Sequence, residues 1–67
     1  MSSPAAELSS VATVLEELSQ RVTAIADAYA EARRDDVANE LYRVEQALSG
    51  AERSLSKVVD AERDLRA

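Results

Sequence analysis

The chain contains no cysteine, histidine, tryptophan or phenylalanine, and only one glycine and one proline in 67 residues. Without cysteine there is no disulfide, no thiolate ligand and no thiol redox chemistry. Without histidine the commonest general base and transition-metal ligand are both missing. The single glycine rules out a Gly-rich phosphate cradle, and no Ser or Thr has a base placed beside it by a recognisable motif. No catalytic, metal-binding or cofactor-binding residue is therefore expected, and no small-molecule substrate. Eight basic residues against thirteen acidic ones leave a net charge of −5. Binding to a phosphate backbone depends on clustered Lys and Arg, so nucleic acid is not an expected partner. No apolar run approaches the roughly 18 residues that span a bilayer, and no basic amphipathic face suits a membrane surface. The start "MSSPAAELSS" lacks a basic n-region and an apolar h-region, so a cytoplasmic location is expected. Seven of the eight basic residues are arginine and alanine is abundant, an association with GC-rich bacterial genomes.

What is present is a chain of helix formers, 46% hydrophobic and mostly Ala, Leu and Val. "SPAAE" reads as a helix start: Ser3 caps, Pro4 suits the first helical position, and Glu7 lies at the positive end of the helix dipole. From there Leu8, Val11, Leu15, Leu18, Val22, Ile25, Tyr29 and Ala32 follow one another at spacings of three and four. In heptad terms Leu8, Leu15, Val22 and Tyr29 take position a, with Val11, Leu18, Ile25 and Ala32 at d. Small or apolar residues (Ala12, Val14, Ser19, Ala26, Ala28) fill e and g, where a two-stranded coiled coil usually carries charge. So broad a stripe calls for contact on more than one side.

A second series runs Val37, Leu41, Val44, Leu48, Ala51, Leu55, Val58 and Leu65, in a different register. Extending the first register instead meets Asp36, Asn39, Arg43, Gln46, Gly50, Arg53, Lys57 and Asp60, none of them apolar. One straight helix would carry its two stripes on nearly opposite sides, because a slip of two residues is about 200°. A fold-back at "RRDD" removes the conflict. Arg33 and Arg34 would then meet the negative end of the first helix, and Asp35 and Asp36 the positive end of the second, either aspartate serving as its N-cap. The expected architecture is an all-α antiparallel two-helix hairpin over residues 1–67, coiled-coil-like. Helix 1 is placed at about 4–32, the turn at about 33–36 and helix 2 at about 36–66. Pairing a with d across the seam sets Ile25 against Leu41, Val22 against Val44 and Leu18 against Leu48, with a half-heptad slip of this register as the alternative. Gly50, after Ser49 and before Glu52, offers a break in helix 2, which the unbroken spacing around it opposes.

Two helices meeting along one seam leave much apolar surface wet, and ordering each residue costs about 1.5 kcal/mol. With disulfides and metals excluded, oligomerisation is the remaining device. The expected function is a non-catalytic protein–protein interaction module, a homodimer forming a four-helix bundle. Val14, Ala28, Ala47, Val59 and Ala61 are the candidate second-seam residues, and Tyr42, at an outer position, is the candidate contact anchor. An alternative is a small regulatory adaptor closing its apolar faces on a partner protein, anti-sigma-like or antitoxin-like. A bundle binding RNA or DNA in the manner of ROP shares the shape only. Secreted helical hairpins of similar layout carry Trp-x-Gly at the turn, where this chain has Arg33 to Asp36, so no family is assigned.

Overall fold

In the computed structural model, which describes residues 3–66, the chain forms two helices packed against each other, α1 (Pro4–Glu31) and α2 (Asp35–Arg66). The hairpin measures 50 × 20 × 12 Å, one helix layer thick. Helix α1 starts as its residues dictate. Ser3 holds extended backbone angles at the N-cap and its hydroxyl oxygen accepts from the Ala6 N–H at 3.2 Å. Pro4 occupies the first turn, where its missing N–H has no partner to lose.

The turn is tighter than glycine-free chemistry would suggest. Ala32 is the C-cap of α1 and Arg33 takes a left-handed conformation with φ of 62°. The Arg33 N–H donates to the Ala30 carbonyl at 3.1 Å and the Arg34 N–H to the Tyr29 carbonyl at 2.9 Å. These two bonds are those of a Schellman motif, whose left-handed position normally holds glycine. Here an arginine fills it, at a steric cost of about 1 kcal/mol. The Arg34 carbonyl already accepts from the Ala38 N–H at 2.9 Å, so α2 begins at Asp35 and only Ala32, Arg33 and Arg34 connect the helices. Arg34, not an aspartate, is thus the residue at the N-cap of α2. Asp35 and Asp36 lie in its first turn, and the Arg34 guanidinium reaches Asp36 Oδ1 at 3.4 Å. That hydrogen bond, followed by the Val37 backbone N–H, holds the Asp36 carboxyl below its ordinary range.

Gly50 does not divide α2, which is helical from end to end. The Ser49 hydroxyl donates back to Glu45 Oε1 at 2.7 Å instead of capping a new helix.

The seam between the helices differs from an a/d pairing. The fully buried residues are Ala26 and Ala38, with 0% and 1% exposure, and Ser19 is buried at 8%. All three occupy heptad position e. Half-buried Ala5, Ala12 and Val59 continue the same line, and the a residues Leu8, Leu15, Val22, Leu41, Leu48 and Leu55 are half-buried beside it. The d residues Val11, Leu18, Ile25, Val44 and Val58 are 40–49% exposed. The helices therefore meet chiefly along a and e, and Ile25 and Leu18, expected at the centre of the seam, are left 49% and 40% exposed. Ser19 faces Glu52 across the seam instead, its hydroxyl donating to Oε1. The physical reason is size. Ala5, Ala12, Ser19 and Ala26 recur every seven residues on α1. Small side chains let two helices approach closely, and bulkier d residues must then turn aside. The side chain of Leu65, last of the apolar series, lies outside the described residues.

Two substitutions test this local chemistry in urea unfolding at fixed protein concentration. Arg33→Gly removes the left-handed penalty and is expected to stabilise the chain by about 1 kcal/mol. A Cβ at Gly50 would meet only the tip of Arg53, at 3.8 Å, so Gly50→Ala is expected to add about 0.5–1 kcal/mol.

Candidate functional site

Seen down a helix, a lies between d and e, about 50° from each at 3.5 residues per turn. When the seam runs between a and e, d therefore turns to one side and b to the other. In an antiparallel pair, equivalent heptad positions of both helices turn to the same side. The hairpin consequently has two unlike broad faces.

One face carries b and e residues. The Tyr42 hydroxyl, at b of α2, crosses to α1 and donates to Asp27 Oδ1 at 2.6 Å. An open groove of 380 Å³ is lined by Glu16, Ser19, Gln20, Thr23, Glu45, Ser49 and Glu52. Its hydroxyls are engaged within the hairpin: Ser19 with Glu52, Ser49 with Glu45, and Thr23 with the Ser19 carbonyl at 3.0 Å. Among the described residues no group of three or more His, Cys, Asp or Glu is arranged to hold a metal ion.

The other face is apolar. It carries Val11, Leu18 and Ile25 from α1 and Val44, Ala51 and Val58 from α2, flanked by the half-buried a residues and by Tyr29. Charged side chains at its a, d and g positions are few: Glu7, Arg21, Glu40 and Glu62.

The residues singled out from the sequence divide between the two faces. Val14, 51% exposed, and the exposed Ala28, Ala47 and Ala61 are g residues along the margins of the apolar face. Val59 is half-buried at e, inside the seam, and lines a groove on the polar side with Ser9, Ala12, Ser56, Asp60 and Arg63. Tyr42 is half-buried on the polar side, tied to Asp27. The centre of the apolar face is built from d residues that the heptad pattern had assigned to the hairpin's own seam. Their signal was the seven-residue spacing of Ala5, Ala12, Ser19 and Ala26, which marks e as the line of closest approach. None of the described helices is long and apolar enough to cross a membrane. The chain matches no protein-family model, no curated protein and no solved structure.

The Tyr42–Asp27 contact has a titration signature. Ionising the phenol would break its hydrogen bond to Asp27; desolvation and the adjacent carboxylate charge act in the same direction, so its pKa stands above the ordinary 10.0. A raised folded-state value means the contact contributes below pH 10.0 and is lost as pH rises through the raised value. In a Tyr29→Phe background, tyrosinate absorbance is expected to report a Tyr42 midpoint above 10.0, falling toward 10.0 on Asp27→Asn.

Proposed function

We propose that this chain is a non-catalytic interaction and oligomerisation module, in which two hairpins close their apolar faces on each other as a homodimeric four-helix bundle. The observation that carries the reading is the strip of Val11, Leu18, Ile25, Val44 and Val58, each 40–49% exposed on one face of a hairpin one layer thick. Each domain needs two packed layers around its core, and this hairpin supplies one. Full burial of a Val, Leu or Ile side chain is worth about 1.5–3 kcal/mol, so covering the strip has a strong driving force.

Charge favours the same face. The chain carries −5, and two copies repel each other. They approach with least opposition through the side where Glu16, Asp27, Glu45, Glu52 and Asp60 do not point. Val14, Ala28, Ala47 and Ala61 then form the rim of the contact, while Tyr42 and Val59 belong to the individual hairpin. A regulatory adaptor would use the same apolar face to bind a different protein with a matching helical surface, and would stay monomeric until it met that partner.

Sedimentation equilibrium at micromolar concentration separates these readings. The homodimer requires twice the chain mass of 7.3 kDa. Ile25→Lys sets a charge within the apolar face and is expected to reduce that mass to a single chain. A wild-type protein that sediments as a folded monomer would defeat the homodimer.

A further inference from the structure

The apolar strips of the two helices are matched level by level. The Tyr42–Asp27 hydrogen bond lies two residues after Ile25 on α1 and two before Val44 on α2, steps that run the same way along an antiparallel pair, so Ile25 and Val44 lie at one height. One heptad further from the turn come Leu18 and Ala51, within about 3 Å of the level set by the Ser19–Glu52 bond. A second heptad brings Val11 and Val58. The face thus consists of three rungs, about 10.5 Å apart: Val11 with Val58, Leu18 with Ala51, and Ile25 with Val44. The outer rungs join side chains of similar size. The middle rung joins the largest gap on the face to a leucine.

We infer that the second copy of this chain is seated by the Leu18–Ala51 rung, whose alanine receives a leucine of the partner copy and sets the register of the dimer. The inference rests on the homodimer proposed above. The occupant is a second copy because the pattern is its own complement. A two-fold axis along the helices lays α1 of each copy over α2 of the other and, at the middle rung, sets each leucine against the partner's alanine in one layer. A partner shifted by a heptad would leave a rung of each copy uncovered and would press leucine against valine.

The test exchanges the two residues. Leu18→Ala opens two cavities per dimer and is expected to weaken dimerisation by at least about a hundredfold in analytical ultracentrifugation. Ala51→Leu crowds the same layer and is expected to weaken it by at least about tenfold. The double exchange L18A/A51L restores the volume of the layer and is expected to return to within about tenfold of the parent. Alanine and leucine are both strong helix formers, and circular dichroism at high concentration checks that each variant is helical. A dimeric parent whose double variant dimerises no better than the weaker single variant overturns the rung assignment alone. So does a single variant that dimerises as well as the parent. A monomeric parent overturns the homodimer and, with it, this inference.

Discussion

The close approach of α1 and α2 along their small e residues is the constraint on which the rest of the molecule depends. Ala12, Ser19 and Ala26 on one helix and Ala38 on the other leave little between the two backbones. Leucines at a flank this contact and are covered only in part. Among the described residues nothing as large as valine is fully buried. The interior stability of a lone protomer is accordingly modest, since small side chains remove little apolar area from water. The bulkier d residues Val11, Leu18, Ile25, Val44 and Val58 stay 40–49% exposed.

That allocation produces two faces with different physical characters. On the polar face carboxylates are bound into the hairpin by short links: Ser19 to Glu52, Ser49 to Glu45 and Tyr42 to Asp27. These bonds cross the seam or brace one helix, and they orient side chains that would otherwise repel. On the apolar face charged side chains are few. An association driven from this face gains by removing hydrocarbon from water, while the carboxylates of the polar side stay solvated and keep the assembled particle soluble. The two faces therefore divide cohesion from solubility within a layer 12 Å thick.

The turn shows how backbone demands can override residue preference. A two-helix chain of this length needs a sharp reversal, and the Schellman geometry supplies it by satisfying the last carbonyls of α1. The left-handed residue falls on Arg33, whose β-carbon resists that conformation. Its positive charge lies next to the negative end of α1, which partly offsets the strain. No glycine stands at the reversal, and an arginine takes the left-handed position in its place.

Much of the fold was legible in the residues because it follows from local rules. Ser3 and Pro4 begin a helix in any context, and the apolar stripe changes sides between Ala32 and Val37, so a straight rod would waste one of its halves. The extent of both helices and the reversal near Arg33 follow from those signals. The choice of seam does not. Leu18 and Ile25 at d are as hydrophobic as Leu15 and Val22 at a, and periodicity ranks them equally. Whether a helix turns its a/d side or its a/e side to its neighbour depends on how closely the two backbones can pack, a property of both helices together. A heptad pattern records which side chains avoid water. It took the paired helices, meeting along alanine and serine, to separate the side chains that serve the hairpin from those left facing outward.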